Sequence, residues 1–161
     1  MTDAPFRVDL AGPGDLNVIR SQWMADIFGS HDGSGKKELV GWPDARRRGR
    51  AYWLETEPEA RDMLLSGLGA YVARDALGPP DNVVGWLVGD LARRTVHWVQ
   101  VKHRWRGEGA GRTLLALVPK PAEGAPRTFT RYATHAQKER LERDGWIYRP
   151  HLAYTLQGET R

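Results

Sequence analysis

Residues 106–112, Arg106-Gly107-Glu108-Gly109-Ala110-Gly111-Arg112, are the part of this 161-residue chain best suited to chemistry. Three glycines in five positions let the backbone come close to a ligand and aim successive N–H groups outward, and Lys102, Arg104, Arg106 and Arg112 around them favour an anion. An apolar strand through Val99-Gln100-Val101 leads in and an amphipathic helix from about Gly109 to Val118 leads out, so the turn gains the unpaired donors and positive dipole end of a helix start. The chemistry predicted is a pyrophosphate cradle. Counting excludes two familiar versions. Read back from Gly111, G-x-x-x-x-G-K-[ST] meets Arg106 at its first glycine and Arg112 at its lysine; G-x-G-x-x-G from Gly107 and Gly109 meets Arg112 at its third glycine. R-x-x-G-x-G, at Arg106, Gly109 and Gly111, does fit.

The elements that must hold this turn follow from the periodicity. Phe6 to Leu10 alternates like a strand, Gly12-Pro13-Gly14-Asp15 breaks and caps, and Leu16, Ile19, Trp23 and Ile27 recur on one helical face. A Gly-rich loop covers 29–35, with helices expected over 45–54 and from Thr56 through Leu65. Strands at Ala70–Arg74, Val83–Gly89 and Thr95–Val101 are separated by short turns and read as an antiparallel meander. After the cradle helix and the linker PKPAEGAP come a strand at Thr128–Tyr132, a helix at His135–Asp144 and a strand at Trp146–Leu156. No internal repeat or domain boundary interrupts residues 1–161, which read as a single domain.

Composition narrows the class. At 40% hydrophobic content the chain can bury a real core, and its seven tryptophans belong in that core or along a cleft. The absence of cysteine removes disulfides, thiolate metal sites and cysteine nucleophiles, and five scattered histidines give no metal-ligand spacing, so no metal is expected. No apolar run spans a bilayer and no signal peptide is visible, which points to a cytoplasmic protein without a membrane partner. The net charge of +4 is clustered. One cluster surrounds the cradle; the other, with Arg46-Arg47-Arg48, reads as a solvated face or as a dock for an acidic partner such as nucleic acid.

The R-x-x-G-x-G turn in its strand-turn-helix setting resembles the acetyl-CoA-binding signature of the GCN5-related N-acetyltransferase (GNAT) superfamily, and the element order is similar over nearly the whole chain. Trp23, Gly85-Trp86-Leu87-Val88, His97 to Lys102 and Thr134-His135 look most like small GNAT-like proteins of phages and prophages, which would place the protein in a bacterial host cytoplasm. The resemblance implies an α+β, three-layer fold with a central mixed, mostly antiparallel twisted sheet flanked by helices. It implies acetyl-CoA as co-substrate, an amine as acceptor and a monomer or homodimer.

By the same resemblance, Val99, Gln100 and Val101 bond the pantetheine through main-chain atoms, Arg106, Gly107, Glu108, Gly109, Ala110, Gly111 and Arg112 hold the pyrophosphate, and an N–H near Val99 or Gln100 polarises the thioester. His97 is the candidate base. Strict alternation puts it on the face of Thr95, Val99 and Val101, imidazole titrates near neutrality, and arylalkylamine N-acetyltransferases carry a histidine at the corresponding place. His135 is a second candidate, and His103 is expected to be merely exposed. Many relatives carry an acidic tyrosine four residues before the Gly-aromatic pair; here that position is Leu141, which leaves Tyr132, Tyr148 or Tyr154 for the role, or unassisted departure of the thiolate. Three readings follow: an N-acetyltransferase, whose acceptor could include an amine-modified base of a phage genome; a CoA-binding protein without turnover; and a nucleic-acid-binding module without a CoA site.

Overall fold

The computed structural model describes residues 5–29, 55, 58, 62, 69–132 and 135–149. The expected helices over 45–54 and 56–65, the loop at 29–35 beyond its first residue, the Arg46-Arg47-Arg48 run, Thr134, Tyr154 and the last strand beyond Arg149 lie outside these residues, apart from Glu55, Pro58 and Asp62, which are helical. The described chain runs β1 (Phe6–Leu10), α1 (Pro13–Gly29), β2 (Gly69–Asp75), β3 (Val83–Asp90), β4 (Thr95–Val101), α2 (Ala110–Leu115), β5 (Thr128–Phe129), α3 (His135–Arg143) and β6 (Ile147–Tyr148).

The six strands form one sheet in sequence order. β1 to β4 pair antiparallel, with Val8 opposite Ala73, Val72 opposite Trp86 and Leu87 opposite Val99; β5 joins β4, and β6 joins β5, in parallel. A parallel neighbour requires a crossover, and α2 and α3 supply the two crossovers. Leu114 of α2 and Leu141 of α3 share one core with Leu87, Val96, Val99 and Phe129, so both helices cover the same face. Residues 83–89 of β3 are buried without interruption, which means the opposite face is covered as well. The result is the α+β, three-layer arrangement around a mixed, mostly antiparallel sheet.

Local chemistry explains the entry to α1. Pro13 occupies the first helical position, where its missing N–H costs nothing, and Asp15 Oδ2 accepts the Gly12 N–H at 2.9 Å. The same oxygen receives Arg74 Nη2 at 2.6 Å, tying the helix start to β2. Ile19 is fully buried, as its place on the apolar face predicts; the side chains of Trp23 and Ile27 lie outside those described.

β4 carries the irregularity that matters for the site. Val88 pairs with Trp98 and Gly89 with Val96, so His97 is an extra residue, a β-bulge. Val96 and Val99, three residues apart, consequently both reach the core shared with α2. The partner strand accommodates the bulge with Gly89, where a Cβ would stand 2.6 Å from Thr95 O and 3.2 Å from Val96 Cα. Gly89→Ala is therefore expected to destabilise the fold by about 1–3 kcal/mol, the usual cost of overpacking, in denaturant titration. A variant as stable as the wild type would show that the bulge does not depend on this glycine.

Candidate functional site

The bulge reverses the direction in which β4 presents its backbone. On its near side, the carbonyls of Arg94 and Val96 accept the N–H groups of Thr128 and Thr130 from β5, at 2.8 and 3.0 Å. Beyond His97 the parity changes. Lys102 N–H donates to Val84 O, so the two-residue period also turns Gln100 toward β3, and turns the N–H and C=O of Val99 and Val101 toward the β5 side. There β5 no longer pairs with β4, because its strand ends at Phe129. A backbone edge with no partner strand among the described residues thus opens inside the sheet. The expected strand at Thr128–Tyr132 is shortened for this reason.

A cleft of about 1000 Å³ occupies this opening. Its walls are Val99 to Val101 of β4, Trp105 to Gly107 and Gly109 to Arg112 of the glycine turn and α2, and one face of α3 through Gln137, Arg140, Leu141 and Asp144. Trp146 and Arg127 close the far side, the Arg127 guanidinium lying 5.0 Å from the Trp146 ring centroid. Five arginines, at 106, 112, 127, 140 and 143, line the cleft against a single carboxylate, Asp144. That balance favours a polyanion.

Each glycine of the turn has its own reason. Gly107 and Gly109 have φ of 84° and 96°, a region that residues with a side chain rarely adopt. Gly109 is the N-cap of α2 and no side chain caps it; among the described residues the N–H groups of Gly109, Ala110, Gly111 and Arg112 donate to no backbone carbonyl, as expected for a helix start. Gly111 differs. It does not have positive φ, and a Cβ there would meet only Val101 Cγ2 at an ordinary 3.5 Å. Ala110 and Leu114 are buried in the core and fix α2 behind the turn.

Of the residues predicted to bind the cofactor, Val99, Gln100, Val101, Arg106, Gly107, Gly109, Ala110, Gly111 and Arg112 come together on the cleft. Glu108 does not: it is exposed, and its N–H turns back toward Trp105 O at 3.4 Å. Gln100 N–H faces β3, and its side-chain Oε1 accepts from Trp98 Nε1 at 3.0 Å, so the outward donor is Val99. The helix expected to reach Val118 is regular only to Leu115, then tightens into turns closed by Leu117 N–H to Leu114 O and Val118 N–H to Leu115 O.

The expected catalytic side chains lie elsewhere. Strict alternation put His97 on the face of Val99; the bulge moves it to the opposite face, where its Nδ1 and Thr130 Oγ1 share a hydrogen bond of 3.0 Å. His97 is 2% exposed and does not line the cleft. Burial, and secondarily the Arg131 charge, lowers its pKa from 6.5 to about 3. A group this weakly basic does not suit proton removal from an ammonium. Tyr148 and His135 belong to an aromatic cluster with Tyr132, whose ring centroid is 5.5 Å from Tyr148 and 5.8 Å from His135. None of the three lines the cleft.

Arg127, Gln137, Arg140, Arg143 and Trp146 also line the cleft, outside the residues expected from the sequence. Gln137, Arg140, Leu141 and Asp144 follow helical spacing, a signal that was present, whereas nothing local in the sequence marks Arg127. Among the described residues no three potential metal-ligating side chains cluster, and no helix is long and apolar enough to cross a membrane.

No protein-family model matches the chain, and no curated protein matches it. Among solved structures it is similar to a GCN5-related N-acetyltransferase from Rhodopseudomonas palustris, at 15% identity and a TM-score of 0.46 over 72% of this chain and 64% of that one. A ribosomal-protein-alanine N-acetyltransferase from Brucella melitensis biovar Abortus 2308 gives 16% and 0.39 over 97% and 96%. A spermidine N-acetyltransferase from Vibrio cholerae, solved with CoA and spermine, gives 15% and 0.35 over 70% and 60%. The chain spans 64% of the length of the first of these.

The buried imidazole has a consequence for stability. Its folded pKa of about 3 lies below the unfolded value of 6.5, so the unfolded chain takes up a proton that the folded chain refuses between those limits. The neutral histidine's contribution is complete above pH 6.5 and falls as pH drops toward 3. His97→Gln should lose less stability than the wild type between pH 7 and pH 4.5 in urea titrations. Parallel losses would mean that His97 protonates freely in the folded protein.

Proposed function

We propose that the cleft binds acetyl-CoA and that the protein is an N-acetyltransferase. The observation that carries this reading is the continuity of two unlike surfaces in one cleft: an open strand edge at Val99 and Val101, and a glycine turn with free helix-start donors among five arginines. An extended arm bearing amides suits the first, and a pyrophosphate with a further phosphate suits the second. Coenzyme A joins both in one molecule. Similarity to the solved acetyltransferases is compatible with the reading without carrying it.

Acetyl-CoA would supply an activated thioester. The Val99 N–H, directed into the cleft, is the donor for its carbonyl oxygen as negative charge develops there. The acceptor amine forms the new C–N bond, the C–S bond breaks, the ammonium proton is lost and the sulfur leaves as thiol. His97 serves as a positioning residue: with Thr130 it pins β4 to β5 beside the point where the strands part. No described histidine lines the cleft, so the acetylation rate should rise with pH along the amine's own titration. His97→Gln, which keeps a side-chain hydrogen-bonding group, should preserve that profile. A limb near neutral pH that vanishes in His97→Gln would restore this residue as the base.

A second reading, a CoA-binding protein without turnover, is favoured by Leu141. It is 3% exposed within the core and contributes no acid to the cleft it lines. Release of free thiol from acetyl-CoA over a panel of amines separates the two readings.

Binding itself is tested by calorimetric titration with acetyl-CoA and by the shift in melting temperature, since a ligand of the folded state stabilises it by mass action. Gly109→Val should abolish the shift, because valine at φ 96° disturbs the start of α2. Gly111→Ala should fold normally, its Cβ having room beside Val101. Unchanged melting of the wild type at millimolar acetyl-CoA would falsify the assignment of the cleft.

A further inference from the structure

Both outward carbonyls of the open β4 edge are already bonded by side chains of the chain itself. Val99 O accepts Gln137 Nε2 at 3.1 Å, and Val101 O accepts Arg106 Nε at 3.2 Å. The two contacts differ in kind. Arg106 is exposed in the turn next to β4, whereas Gln137 reaches across the cleft from α3, from a half-buried position one helical turn before the buried Leu141. Leu141 anchors that turn of α3 in the core, so the Gln137 contact is made by a side chain from a helix whose own position is fixed. Val99 is 5% exposed, and a carbonyl so placed is costly to leave without a donor.

We infer that Gln137 is a placeholder for the ligand's amide arm, its side-chain amide holding Val99 O until a ligand N–H displaces it. The inference rests on the CoA reading of the cleft and deepens it. A ligand amide that lies along β4 exchanges one hydrogen bond for another at Val99 O, so the bond it makes there adds little to affinity. Gln137 thereby lowers the affinity for any ligand that uses the strand edge, and leaves untouched the affinity for one that uses only the arginine-lined end. An arm without an amide N–H at this point could not replace Gln137 at Val99 O, which makes the residue a determinant of specificity as well as affinity.

The test is calorimetric titration of the full chain with CoA and with adenosine 3′,5′-bisphosphate, which carries phosphates and no amide arm. Gln137→Ala removes the competing donor on a helix where alanine is well tolerated, and Gln137→Asn keeps an amide one methylene too short to reach. Both variants are expected to bind CoA roughly two- to ten-fold more tightly than wild type, the worth of one net hydrogen bond, with affinity for the bisphosphate unchanged. If the wild type binds CoA and Gln137→Ala binds it equally or less tightly, the placeholder role is overturned while the cleft assignment stands. Tightening of both ligands alike would also overturn it, since the effect would then lie outside the strand edge. A wild type that binds neither ligand overturns the cleft assignment and this inference together.

Discussion

The extra residue at His97 governs which atoms of β4 are available to anything outside the strand. Before it, the carbonyls of Arg94 and Val96 are consumed by β5; after it, those of Val99 and Val101 turn the same way and meet the side chains of Gln137 and Arg106 in place of a strand. A regular strand would have turned Trp98 and Gln100 toward β5 and left Val99 bonded to β3. The bulge is held on several sides. Gly89 gives it room, Thr95 and Thr128 join their hydroxyls at 2.9 Å below it, and the His97 to Thr130 bond clasps the strands beside it. A neutral imidazole is what such a clasp in a dry setting requires, and the same burial that keeps it neutral removes its value as a base.

The arginine-lined end of the cleft depends on a different device, a short helix held from behind. α2 has six residues, too few to persist by propensity alone, and owes its place to Ala110 and Leu114 in the core. Its N-terminus is consequently fixed relative to β4, and the glycine turn between them has little freedom left. The arginines arrive from the turn, from α2, from the entry to β5 and from α3. Charges gathered from four elements exist as a cluster only in the folded chain, where their mutual repulsion is a standing cost that an anionic ligand relieves.

Periodicity made the sheet legible: β1, β2, β3 and β4 lie within a residue of their expected positions, because alternating or continuous apolar runs and short turns leave few alternatives. The glycine turn was legible as well, since its positive-φ conformation is encoded locally in Gly107 and Gly109. What alternation misplaced was the face of His97 at the bulge. Strict alternation assigned His97 to the wrong face, and a one-residue insertion has no signature in Thr95-Val96-His97-Trp98-Val99 that differs from a regular strand. Arg127 has no local mark, because long-range placement brings it to the cleft, whereas Arg140 lies on the helical face that Gln137, Leu141 and Asp144 already outline. The lengths of β5 and α2 were overestimated for a related reason. Their ends are set by where β4 diverges and where the core stops, and neither is a property of the segments themselves.

A sheet that parts in its middle has more than the usual two borders. Between β4 and β5 runs an internal rim of main-chain donors and acceptors, and such a rim is a template on which a strand of another molecule can add. Gln137 and Arg106 cap the acceptors of that rim, and the arginines around it repel another copy of the same basic surface. Side-chain caps and like charge are the features by which an exposed sheet edge is protected from adding further strands, and the same residues that give the cleft its character supply both. Removing both caps would leave the Val99 and Val101 carbonyls open to strand addition, a constraint on how this edge can be reshaped.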